Sequence, residues 1–266
     1  VAEVFRSIQG EGLLLGKRQV FVRLAGCQID CRYCDTAWAF QAPATVAVPA
    51  APGHGGEGSG EGSGEGSGEG SGEGRVGQRL ENPLTVQQLV GLIDSSDPPG
   101  GPGGPASVSL TGGEPLEQVD FCQALIAALP GRDVMLETAA LDGVALARLV
   151  PSLRWVAADI KLPSATGRQH SLEEHEAVLC TGVLDRVETF FKLIVDGDVN
   201  EAELGRAADL LARHAPGRKV FLQPVTPLGG SPALPPGHLD SLVDVLLERA
   251  LPVRVVPQVH KQLKVR

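Results

Sequence analysis

The 266-residue chain has no basic start followed by an apolar core, and no run in it approaches 18 apolar residues. The first absence speaks against a secretory leader and the second against a membrane span. It also lacks a lysine- and arginine-rich cluster, since 23 basic residues face 32 acidic ones for a net charge of −9. No nucleic-acid or anionic-membrane surface is therefore expected. Five of the acids (Glu57, Glu61, Glu65, Glu69 and Glu73) lie in one repetitive segment, so the remainder is only mildly acidic. An even, spread-out set of cysteines is missing too. There are five, three of them between Cys27 and Cys34. A secreted disulfide framework spreads an even number through a short chain, so a reducing cytoplasm is the expected setting.

Periodicity is absent from Gln41 to Gly56, which is rich in Ala and Pro. Glu57 to Gly74 then repeats Glu-Gly-Ser-Gly with period four. Each unit lacks an apolar residue to stack on its neighbour, which excludes a solenoid. A disordered surface insertion is expected at about 41–80. Elsewhere strands and helices alternate. Strands are predicted at Glu3–Ile8, Gln19–Leu24, Ser107–Leu110, Val134–Glu137, Trp155–Ile160, Thr189–Val195, Lys219–Val225 and Val253–Val256. Helices fall between them, one capped by Thr85 and one opened by Asn200 with Glu203 at the capping-box position. Alternation of this kind implies parallel βαβ units. The predicted fold is α/β, a partial, open TIM-like barrel of six or seven βα strands, forming a single domain over 1–266.

Chemistry is concentrated where strands end. After Val20–Leu24 comes Cys27-Gln28-Ile29-Asp30-Cys31-Arg32-Tyr33-Cys34-Asp35-Thr36. Three thiolates on one loop can converge on a soft metal centre. An ordinary four-iron cluster takes four cysteines, so three leave one iron open to an outside ligand. Structural zinc is the competing reading, but it normally needs four Cys or His ligands, and the nearest candidate, His54, lies in the low-complexity segment. Cys122 shares a helical face with Leu125, Ile126 and Leu129 and reads as a small buried hydrophobe. Cys180 reads as structural. Arg23, in an apolar strand, wants an anionic partner, protein or ligand. Thr111-Gly112-Gly113-Glu114-Pro115 reads as a glycine turn that lets a ligand approach the backbone beside one carboxylate. Glu137-Thr138, Asp159-Ile160-Lys161 and Gln223-Pro224-Val225-Thr226 end the following strands. Pro257-Gln258-Val259-His260-Lys261 forms the tail.

The spacing C-x3-C-x2-C, with the aromatic Tyr33 before the last cysteine, resembles that of radical S-adenosylmethionine (SAM) enzymes, as does the Gly-Gly-Glu turn. Adding Ser7-Ile8-Gln9-Gly10-Glu11-Gly12, Phe21–Cys27, Cys34-Asp35-Thr36 and the tail narrows this. The chain resembles the 7-carboxy-7-deazaguanine synthase family from end to end, interrupted mainly by the repetitive insertion. The resemblance implies conversion of 6-carboxy-5,6,7,8-tetrahydropterin to 7-carboxy-7-deazaguanine with loss of ammonia, on the route to queuosine and related deazapurines. It implies a lyase, usually a homodimer, that draws on an external electron donor and takes a [4Fe–4S] cluster, SAM and Mg2+. Cys27, Cys31 and Cys34 would hold the cluster and Thr36 the magnesium. Ile8, Gln9, Gly10, Glu11, Arg23, Thr111 and His260 would bind the pterin, with Arg23 on its carboxylate. Tyr33, Cys34, Asp35, Gly113, Glu114, Glu137, Asp159, Ile160, Lys161, Gln223, Pro224, Val225 and Thr226 would surround SAM. Two departures touch the SAM-ribose contacts. Ala139-Ala140 stands where relatives often have a polar residue and glycine, and Asp159-Ile160-Lys161 where many have Ser-Pro-Lys. A glycyl-radical activating enzyme shares the cysteine spacing but acts on a protein; the Gln9–Gly12 turn and the tail favour the pterin. A non-catalytic zinc-binding module, tethered by the low-complexity arm, is the alternative of another class.

Overall fold

The computed structural model describes residues 1–49, 78–101, 103–226 and 232–265. Its first strands are β1 (Glu3–Ile8) and β2 (Arg18–Leu24), followed by the short β3 (Thr45–Ala47) and β4 (Arg79–Glu81). Then come β5 (Ser107–Gly112), β6 (Val134–Thr138), β7 (Trp155–Ile160), β8 (Glu188–Val195), β9 (Val220–Pro224) and β10 (Val253–Val255). One sheet runs β1-β2-β5-β6-β7-β8-β9-β10, while β3 and β4 form a separate ribbon. Only β1 is antiparallel within the main sheet, so seven parallel strands meet the expectation of six or seven.

Residue alternation assigns the two faces. Leu136, Val156, Phe191 and Leu222 belong to the larger core under the helices. Their neighbours Met135, Trp155, Ala157, Phe190 and Phe221 point the other way and, with Leu14 and Val256, fill the lower part of the lumen. Phe190 meets Phe221 edge to face at 5.4 Å. The outer helices are α1 (Val86–Ser96), α2 (Val119–Ala127), α3 (Gly143–Leu149), α4 (Pro163–Thr166), α5 (Ser171–Leu179), α6 (Glu201–His214) and α7 (His238–Leu247), and a short α8 (Val259–Gln262) lies in the tail. Thr85 and Gln88 form a reciprocal capping box on α1. On α6, Asn200 accepts from the Glu203 N–H at 2.7 Å. The return bond expected from Glu203 does not form, because its carboxylate instead takes the Ser164 N–H at 2.8 Å. That amide opens α4, which has no side-chain cap of its own, so the buried glutamate supplies the missing acceptor.

The barrel is open between its edge strands, β1 and β10. Two segments fill this seam. The β1–β2 connection folds inward, Gly12 lying against Phe190 with φ +60°. The tail crosses to meet it, and Val259 N–H donates to the Gly10 carbonyl at 3.2 Å. A side chain at Gly10 would collide with His260.

One expectation needs correction. The insertion is shorter than 41–80, because its edges pair as the β3–β4 ribbon, with Val48 N–H on the Gln78 carbonyl at 2.9 Å. The Glu-Gly-Ser-Gly repeat and its expected disorder lie outside the described residues. The Gln9–Gly12 turn does not sit at the same strand end as the cysteine loop. Ile8 pairs with Arg18, at the start of β2, and the turn reaches the site only by folding into the lumen.

Candidate active site

One cavity of about 220 Å3 opens at the C-terminal ends of the parallel strands, and almost every candidate residue lines it. Cys27, Cys31, Tyr33, Cys34, Asp35 and Thr36 come from the loop after β2. Thr111, Gly113 and Glu114 come from the end of β5, Glu137 from β6, Asp159 from β7 with Lys161 just after it, and Gln223 from β9 with Val225 just after it. Ile8, Gln9, Gly10 and Glu11 enter with the inward turn, Arg23 from β2 and His260 from the tail. Three candidates do not line it. Ile160 faces the outer core because its strand neighbours, Asp159 and Lys161, take the inward side. Pro224 and Thr226 flank the lining residue Val225.

The glycines of the Thr111–Pro115 turn are needed for a different reason than expected. A Cβ on Gly113 would lie 1.6 Å from the Gly26 carbonyl oxygen, and one on Gly112, at φ +121°, would strike Leu24. Gly113 N–H donates to Leu24 O at 2.9 Å and Glu114 N–H to Gly26 O at 2.8 Å. The turn is thus pressed against the backbone that leads into the cysteine loop. Close approach of protein to protein requires glycine here.

Several candidate side chains already have protein partners. Glu114 accepts from Thr138 Oγ1 at 2.5 Å, Ala139 N–H at 2.8 Å and Leu116 N–H at 3.0 Å. Burial nonetheless raises its carboxyl above the usual range. Arg23 meets Glu3 on the adjacent strand at 2.9 Å, which identifies the anion that its apolar setting called for. The Gln9 side chain donates to Gln19 and to Glu137 at 2.9 and 3.0 Å and accepts from Glu11 N–H at 3.1 Å. Glu137 also receives Ser109 Oγ at 2.7 Å. Asp35 pairs with Lys261 at 2.8 Å and accepts from Gln258 at 3.2 Å, joining the cysteine loop to the tail.

Just after β7, Lys161 binds Asp159 at 2.7 Å and reaches the Tyr33 hydroxyl at 3.3 Å. Burial would lower the Lys161 ammonium, but Asp159, Tyr33 and Cys31 outweigh it and hold the group well above its ordinary value. Burial pushes up the Tyr33 hydroxyl and the thiols of Cys27 and Cys31. Metal binding at these thiols therefore releases protons.

Sequence reasoning passed over two residues. Lys192 of β8 lies on the cavity wall, 2.6 Å from Glu11. A lone charge between Phe191 and Leu193 is the same signal that singled out Arg23. His175 of α5 accepts from Lys161 N–H at 2.8 Å. Burial and the nearby Lys161 lower its pKa to about 3 and keep the ring neutral. Nothing local in the sequence marks that role. Cys122 is fully buried, as expected, whereas Cys180 is exposed, 3.8 Å from His214.

The donor set can be tested against a cluster and an adenosyl ligand. Among the described residues, no three His, Cys, Asp or Glu side chains gather closely enough to hold a single ion. A four-iron cube does not ask them to, because each cysteine meets its own iron. Asp159 Oδ1 and Gln223 Oε1 are buried acceptors without a partner, both on lining residues. SAM carries hydroxyl and amino donors of the kind these acceptors lack, so the residues present fit both groups.

The fold is shared with solved structures. The crystal structure of QueE from Escherichia coli matches with a TM-score of 0.56 at 20% identity, covering 98% of this chain and 93% of that one. A radical SAM methyltransferase from Sphaerobacter thermophilus gives 0.56 at 14%, covering 91% and 70%. The class that the fold defines is a partial, open α/β barrel. No family model matches the chain. The 7-carboxy-7-deazaguanine synthase of Geobacter sulfurreducens is 30% identical over 260 residues, 97% of this chain and 94% of its own length. The chain belongs to the 7-carboxy-7-deazaguanine synthase family.

Proposed function

We propose that this cavity converts 6-carboxy-5,6,7,8-tetrahydropterin to 7-carboxy-7-deazaguanine with loss of ammonia, in queuosine or related deazapurine biosynthesis. The observation that carries the reading is convergence. The three-cysteine loop, the Gly-Gly-Glu turn bonded to its backbone and the Gln9–Glu11 turn all open on one chamber. Residues 1–266 act as one radical SAM domain, since a single sheet supplies every strand-end group.

Cys27, Cys31 and Cys34 would hold a [4Fe–4S] cluster, with SAM on the iron that no cysteine takes. Together these groups supply the one-electron chemistry that cleaves SAM. The protein's own work is binding and exclusion. Glu114, Asp159 and Gln223 present acceptors to SAM, and the Lys161–Asp159 pair braces Tyr33 beside the cysteines. Arg23, fixed by Glu3, offers its remaining guanidinium donors to the pterin carboxylate. Thr36 Oγ1, 3.7 Å from Cys34 Sγ, is the hydroxyl available to Mg2+. The tail and the inward turn cover the seam and shield the chamber from water. An external reductant, a homodimer and a reducing cytoplasm, which would keep the loop thiols available as ligands, complete the proposal.

The test is anaerobic reconstitution with iron and sulfide, then incubation with SAM, dithionite and the carboxypterin, read by product mass. The expected product is the deazaguanine acid, and Cys31→Ala loses both iron and SAM cleavage. Deoxyadenosine from wild type without any pterin conversion would overturn the substrate. Full iron loading in the triple cysteine variant would overturn the ligands.

A further inference from the structure

We infer that Lys192 is a positioning residue for the pterin: from across the cavity it holds the Glu11 carboxylate as the acceptor for the donor edge of the ring. This rests on the function proposed above. Lys192 extends inward from β8, between Phe191 and Leu193, which both point to the outer core. Its Nζ lies 2.6 Å from Glu11 Oε2, and the two side chains are only 8% and 14% exposed. A buried ion pair is weak evidence for stability, since apolar replacements are often as stable. Its position on a ligand cavity is the informative fact.

The other Glu11 oxygen is loosely held, with Gln258 Nε2 at 3.4 Å and His260 Nδ1 at 3.9 Å. Acceptor capacity thus remains for the cavity. A 2-amino-4-oxopyrimidine edge offers two adjacent N–H donors, the complement of a carboxylate. Lys192, with donors only, cannot meet that edge itself. It can fix the charge and rotation of the group that does. Glu137 of β6 and Asp159 of β7 face Lys192 as well, and His260 and Gln258 of the tail face Glu11. Beyond Gln258, Asp35 is matched by Lys261. Burial alone would raise the Glu11 carboxyl, but Lys192, with His260 and Gln258, brings it to about 2. With Lys192 in place the acceptor stays ionised at any working pH. Without it, burial dominates and the carboxylate is lost as pH falls.

The experiment measures kcat and KM for the carboxypterin from pH 6 to 9 in the anaerobically loaded full chain. Lys192→Met is expected to raise KM at least about tenfold at pH 8 and further at pH 6, with kcat within about threefold. Deoxyadenosine release without pterin should match wild type, and Lys192→Arg should recover most of the KM. Adding Lys192→Met to Glu11→Gln should change KM less than about twofold, because the lysine acts through the glutamate. This pair removes both charges and so tests the idea even if the single variant folds poorly. A wild-type KM and a flat pH profile in Lys192→Met would overturn the inference, as would a full additional loss in the double variant. If wild type itself makes no deazaguanine, the underlying reading fails instead.

Discussion

Gly113 shows what a single residue can control. The Cα hydrogen it carries in place of a side chain points at the Gly26 carbonyl, which leaves no room for carbon. Gly113→Ala therefore has to move backbone, and we expect a loss of about 3 kcal/mol or more in urea unfolding. His175 leads to a pH effect. Its pKa is about 3 in the fold, against 6.5 unfolded. A group depressed in the fold contributes fully above the unfolded value, and the contribution fades as pH falls from about 6.5 toward 3. By pH 5 about 2 kcal/mol should be gone, seen as a lower urea midpoint. His175→Gln keeps an acceptor for Lys161 N–H without a charge to gain, and should flatten that slope. At this scale the sequence was legible where spacing, a strand end or an apolar setting marked a residue, although Lys192, which carries the same signal as Arg23, was passed over. The cysteines were found by spacing, the acids by their strand ends and Arg23 by its apolar strand. It was silent on pairing: Glu3 for Arg23, Lys261 for Asp35 and Thr138 for Glu114 join positions that only the folded chain brings together.

Among the elements, hydrophobic patterning located every strand of the main sheet, with ends that match or shift by at most two residues. Helix α5 was missed because charged residues crowd its exposed face, and its buried side includes Ser171 and His175 rather than aliphatic residues alone. The inward course of the Gln9–Gly12 turn was also hidden, since composition marks a turn without giving its direction. The tail is the element with most at stake for ligands. Gln258 and His260 line the cavity, and Lys261 ties the tail to Asp35. Ending the chain at Pro257 should leave iron loading intact and raise the KM for the carboxypterin by about tenfold or more. An unchanged KM would show that the tail only covers the site.

For the whole molecule, the ribbon makes the insertion separable. Val48 and Gln78 are hydrogen-bonded neighbours, so the described residues that flank 50–77 lie side by side. Replacing 50–77 with Asn-Gly should leave kcat and KM within about twofold and the melting temperature within about 2 °C, because loop length contributes little to closure. A collapse in activity would instead give the repeat a role in turnover. The seam has a further consequence, for synthesis. The cysteines are translated far ahead of Gln258 and His260, which line their chamber. A nascent polypeptide on the ribosome thus exposes its thiols long before it can enclose them, and iron delivered too early meets an unfinished vessel.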